Sequence, residues 1–152
     1  MEYDLQKETR VWERIRTPQC QNRGADAAEI AKIVCAEMAD ACFYRALAAA
    51  LPAKERRCLL EIAQDENKHA KTLSAIYFLL QGQRLCPERP PRFCPSCLTE
   101  ELRKRWREEL AAAERYEKLA GQMPEFASTF RCLAADEKRH AQMILCLLQK
   151  MV

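Results

Sequence analysis

Residues 65–70 read DENKHA and residues 136–141 read DEKRHA, and the chain's two histidines, His69 and His140, both fall inside these near-copies. Around the first copy, Leu59, Ile62, Glu66, His69, Leu73, Ile76 and Leu80 alternate steps of three and four, which is the spacing of one buried helix face. Around the second, Phe126, Phe130, Leu133, Glu137, His140, Ile144 and Leu147 do the same. Each seam therefore places a Glu and a His where a Leu belongs. A buried carboxylate without a partner costs several kcal/mol, so something must compensate it, and cations are the natural candidates.

Working outward, the pattern predicts four helices. The first runs from about Asp26 to Leu51 and ends at Pro52; the second runs from about Lys54 to Gln81 and stops at Gly82. The third spans roughly Leu98–Gln122 and the fourth roughly Glu125–Lys150. The first and third also match each other. Glu37, Tyr44, Leu47 and Pro52 recur as Glu109, Tyr116, Leu119 and Pro124 at an offset of 72. The chain reads as a duplicated helical hairpin. Glu37 precedes Pro52 by fifteen residues and Glu66 follows it by fourteen. In an antiparallel hairpin both carboxylates then stand about 20 Å from the turn, at one level, and Glu109 and Glu137 form the second such pair. Between the hairpins lies GQRLCPERPPRFCPSC, residues 82–97, with four prolines. If the second and third helices run parallel, the connection must cover roughly 40 Å, and sixteen extended residues reach about 50 Å. The expected fold is all-α: a four-helix bundle of two duplicated hairpins joined by a long crossover.

Glu37, Glu66, His69, Glu109, Glu137 and His140 thus supply one Glu from each of two helices and Glu-x-x-His from each of the other two. That is the donor set of carboxylate-bridged di-iron or di-manganese sites. Residues at i and i+3 share a helix face, so one carboxylate and one imidazole reach the same ion, and hard oxygens with borderline nitrogen suit iron or manganese. The pattern assigns Glu37 and His69 to one ion and Glu109 and His140 to the other, with Glu66 and Glu137 bridging. Asp65 and Asp136 are placed to accept the outer imidazole N–H from the opposite helix. Tyr44 and Tyr116, seven residues after Glu37 and Glu109, fall on the same face and can bond the ligand carboxylates.

The 25 basic and 22 acidic residues are interspersed, which gives neither a nucleic-acid stripe nor an acidic tail. No run approaches a membrane span, and the opening residues are too polar for a secretory signal. Nine cysteines without a disulfide spacing suggest a reducing cytoplasm, with most thiols as small buried apolar groups. Cys86, Cys94 and Cys97 lie in the crossover. Cys94 and Cys97, as CPSC, are a candidate redox pair for relaying electrons; a zinc or rubredoxin-type site there needs a fourth thiolate, which Cys20 can supply only if the N-terminal segment folds back. Residues 1–24 form an N-terminal segment, with Tyr3, Leu5, Val11, Trp12 and Ile15 suggesting a short helix, and residues 25–152 form the bundle.

Over about residues 26–150 the pattern resembles the ferritin-like superfamily, and most closely rubrerythrin-like di-iron proteins lacking the rubredoxin domain. The departures choose among relatives. Asn67 stands where bacterioferritin has its haem-binding methionine, and the chain ends twelve residues after His140, so neither haem nor a storage cage is expected. Ala112 stands where rubrerythrin carries an additional glutamate. The resemblance implies an oxidoreductase with two iron ions, manganese being accepted by the same ligands. It would reduce hydrogen peroxide or dioxygen with electrons from an external donor such as a rubredoxin-like or flavin protein, and a homodimer is expected. The alternatives are a ferroxidase or iron-handling protein, a di-iron hydroxylase, and a metal-free interaction bundle.

Overall fold

Two prolines and a glycine punctuate the computed structural model, which describes residues 19–90, 92–94 and 97–151. Four long helices result: α1 (Gln19–Ala49), α2 (Ala53–Gln81), α3 (Leu98–Gln122) and α4 (Ala127–Lys150), with a 3-10 turn at Pro124–Phe126 before the last. Pro52 pushes Leu51 out of helical geometry, and α1 closes with the tight bonds Ala50 N to Leu47 O and Leu51 N to Ala48 O. At the far end of α2, Gly82 takes a φ of 72° and its N–H bonds Phe78 O, a left-handed stop that favours glycine.

Two boundaries differ from expectation. Helix α1 starts at Gln19, about two turns before Asp26, because it runs straight through Gly24; one mid-helix glycine costs only about 1 kcal/mol. The division expected after residue 24 therefore falls inside a helix. The short helix expected within residues 1–24 otherwise rests on residues 1–18, outside the described residues. Helix α4 starts at Ala127 and not Glu125, since Pro124 begins a 3-10 turn in its place.

The helices pair as α1 with α2 and α3 with α4, and across the hairpins α2 meets α4. Two apolar layers fill the interior. One joins Ile30, Ile33, Leu73, Ile76, Tyr116, Leu119 and Phe130; the other joins Phe43, Tyr44, Leu47, Leu59, Ile62, Leu102 and Ile144. The first layer takes the C-terminal halves of both α2 and α3, and the second takes their N-terminal halves, so these two helices run parallel. The crossover accordingly travels from one layer to the other. Leu85 packs on the first, and Phe93 on the second, edge-on to Phe43 with ring centroids 4.9 Å apart. Among the described residues, no helix is long and apolar enough to cross a membrane.

The cysteines correct the sequence reading. Cys35, Cys86, Cys94, Cys97, Cys132 and Cys146 are exposed, Cys42 and Cys58 are half-buried, and all eight are free thiols. Cys58, Cys132 and Cys146 each directly precede a seam residue, and one helical step turns a side chain about 100° away from the seam. Apolar character in the sequence did not translate into burial.

Leu73 is fully buried in the first layer. Leu73→Ala should lower unfolding free energy by about 2–5 kcal/mol, measured as a shifted urea midpoint at unchanged slope.

Candidate metal centre

Between the two apolar layers the seams change chemistry. Glu37 from α1, Glu66 and His69 from α2, Glu109 from α3, and Glu137 and His140 from α4 converge there, none more than 5% exposed. They form two overlapping groups: Glu37, Glu66, His69 and Glu137; and Glu66, Glu109, Glu137 and His140. Within each group one donor atom per residue lies within 4.8 Å of every other, and Glu66 and Glu137 belong to both. The His69 Nδ1 stands 3.4 Å from Glu37, 3.2 Å from Glu66 and 3.1 Å from Glu137. His140 Nδ1 stands 3.0 Å from Glu66, 3.2 Å from Glu137 and 3.7 Å from Glu109. The two imidazoles stack with centroids 5.6 Å apart.

Four of the six inward side chains are held from behind. Tyr116 Oη donates to Glu37 Oε1 at 2.6 Å, and Tyr44 Oη donates to Glu109 Oε1. Both bonds cross from one hairpin to the other. The outer imidazole nitrogens face the opposite helix: His69 Nε2 lies 3.4 Å from Asp136, and His140 Nε2 lies 3.5 Å from Asp65. Arg139 donates to Asp65 at 2.6 Å and to Asp136 at 3.1 Å, and Lys68 donates to Asp65 at 2.7 Å. Against its partial burial, these bonds from Lys68, Arg139 and His140 hold the Asp65 carboxyl down to about 2. Asp65 is thus a permanent anion facing His140.

The electrostatics of the cluster say what it can hold. Burial, reinforced by neighbouring carboxylates, raises Glu66 to about 9 and Glu109 to about 8. Glu137 is depressed, because hydrogen bonds from both imidazoles outweigh its burial. The surrounding carboxylates overcome burial to push His140 up to about 12, and His69 is raised in the same way. Burial and the adjacent carboxylates keep both tyrosines protonated, as donors. At neutral pH the cluster is therefore neutralised by protons. Even so, each Nδ1 has one proton for three carboxylates, and Glu66 Oε1 and Glu137 Oε1 face theirs at 3.0 and 3.1 Å without hydrogen-bonding alignment, an arrangement that a cation accepting their lone pairs would relieve. Oxygen donors with two inward imidazole nitrogens fit a metal ion, which would displace the protons on binding.

Ten residues singled out in the sequence meet here; Cys94 and Cys97 do not, and lie exposed in the crossover. Two elements escaped the sequence reading. Arg139, one residue before His140, braces both aspartates, and its spacing of three from Asp136 was the available signal. Arg105, buried and paired with Asp40, sits four residues before Glu109, and nothing in the sequence ties it to a residue 65 positions away. Comparisons with protein-family models, curated proteins and solved structures find no match to this chain.

The raised carboxyls fix a pH dependence. Folded Glu66 and Glu109 keep protons up to about 9 and 8, whereas an unfolded Glu loses its proton near 4.3. The folded state thus binds more protons, and stability present below the unfolded value is lost as pH rises through the folded ones. The metal-free protein should melt about 5 °C or more lower at pH 8.5 than at pH 5.5. Saturating manganese(II) should remove most of that difference, as read by calorimetry.

Proposed function

We propose that the six convergent side chains hold two iron ions and that the protein is a ferritin-like, rubrerythrin-like oxidoreductase reducing hydrogen peroxide or dioxygen with electrons from an external donor. The observation that carries this reading is the overlap of the two four-residue groups on Glu66 and Glu137. Two cations sharing two carboxylates, each with its own Glu and His, use every donor in the cluster. A metal-free bundle would instead leave four carboxylates inside the core with only protons to offset them, a poor exchange for the apolar residues the seams otherwise carry.

Bound there, a pair of iron ions would supply the two electrons that reduction of an O–O bond requires, one from each ion. The chain's own residues do the rest. Glu66 and Glu137, common to both groups and not tied by a tyrosine, would be the carboxylates that adjust to a change in charge. Glu37 and Glu109 are tied, through Tyr116 and Tyr44, and keep their places. Asp136 and Asp65, braced by Arg139, set the outer face of each imidazole, so that Nδ1 would present its lone pair inward once a cation displaced its proton. The two apolar layers limit water to the level of the cluster.

Anaerobic stopped-flow mixing of ferrous-loaded protein with hydrogen peroxide tests the proposal. Near-ultraviolet absorbance should rise rapidly, with about two irons oxidised per peroxide consumed. Inertness to both peroxide and dioxygen would contradict it, and continued uptake of many irons per chain would indicate iron storage instead.

A further inference from the structure

Among the described residues, a cleft of about 380 Å³ opens between α1 and α3 and reaches Glu37, Glu66, Glu109 and Glu137. Its walls are small. Ala36 and Ala39 come from α1, and Ala111 and Ala112 from α3; larger side chains at these places would close it. Its mouth is charged. Arg105, only 8% exposed, donates to Asp40, lies 3.2 Å from Glu108, and stacks its guanidinium 4.0 Å over the Phe43 ring. The Arg105 Nε atom is buried without a hydrogen-bond partner; Glu108 Oε2 has only its off-line contact to Arg105, and Glu66 Oε1 and Glu137 Oε1 at the cleft's inner end have only off-line contacts to His140 and His69. Polar atoms with incomplete hydrogen bonding therefore line the passage at both ends.

The charge balance selects the traveller. Six carboxylates face two guanidiniums, those of Arg105 and Arg115. The outer pair, Asp40 and Glu108, meets an arriving cation first, and the inner carboxylates become negative as the cation displaces their protons, between low-dielectric helix walls that strengthen the attraction. Asp40 and Glu108 stand next in line to the inner ligands, at i+3 from Glu37 and beside Glu109 in sequence. Their partner Arg105 offsets their charge when no ion is passing, and its guanidinium can stay on the Phe43 ring after releasing them.

We propose that this cleft is the route by which divalent cations enter and leave the cluster, with Asp40 and Glu108 as transient outer ligands and Arg105 as the counter-ion that a passing cation displaces. The proposal rests on the two-cation reading above and adds the path and the residues that serve it.

The test is stopped-flow loading of the metal-free full chain with cobalt(II), followed through its visible bands. Ala39→Leu, which fills the cleft, should slow association and dissociation together by about tenfold or more, with the final stoichiometry and the dissociation constant unchanged. Asp40→Asn should slow association alone, and the wild-type rate should fall more steeply with added salt than the Asp40→Asn rate. Loading of both variants at the wild-type rate, with two ions bound, overturns the route and leaves the metal reading standing. Failure of the wild-type chain to bind cobalt(II) at all overturns the metal reading itself. Should Ala39→Leu not fold, the Asp40→Asn rate and its salt dependence decide the matter.

Discussion

Four carboxylates lie inside a helical core, and their charge must be neutralised there. This constraint organises the rest of the molecule. Removing one such group from water costs several kcal/mol, and the bundle does so four times at one level. Two imidazoles, two tyrosines and a web of protons are the chain's own response, and it still leaves an oxygen of Glu66 and one of Glu137 without a well-aligned hydrogen bond. The apolar layers above and below keep water from those two sides and leave the cleft between α1 and α3 as the open approach. The pair of divalent cations we propose would resolve the imbalance in a way that no side chain among the described residues does.

The duplication explains why the arrangement is nearly symmetric. Each hairpin brings a tied glutamate, a glutamate common to both groups and a histidine, and each lends its tyrosine and its aspartate to the other. Tyr44 serves Glu109 and Tyr116 serves Glu37; Asp65 faces His140 and Asp136 faces His69. Neither hairpin can assemble half a site alone. The symmetry fails at the periphery. Arg139 braces both aspartates, whereas Lys68 at the equivalent place holds only Asp65. The cleft keeps the symmetry in its position, between α1 and α3, and loses it in its charges, since Asp40 on α1 is matched by Ala112 on α3.

Much of this was legible in the sequence because helical periodicity is a strong signal and a polar residue on an apolar seam breaks it visibly. Glu66, His69, Glu137 and His140 were found as interruptions, and Glu37 and Glu109 by their common distance from Pro52 and Pro124. Helix starts were less legible. Gly24 and Asp26 look like a boundary, yet the helix passes through them, and Pro124 opens a 3-10 turn that periodicity does not register. Thiol exposure was misread because cysteine's apolar character says nothing about which side of a helix it occupies. Arg105 and Asp40 were invisible for a different reason. Their pairing depends on how two hairpins face each other across α1 and α3, which no local pattern encodes.

The central claim is that these six side chains hold a pair of cations, and anaerobic calorimetric titration of the metal-free chain with ferrous iron tests it most directly. The account predicts saturation at about two ions per chain, with uptake abolished when Glu66 and Glu137 are both replaced by alanine. No uptake by the intact chain, or two-ion binding that survives the loss of both glutamates, would contradict it.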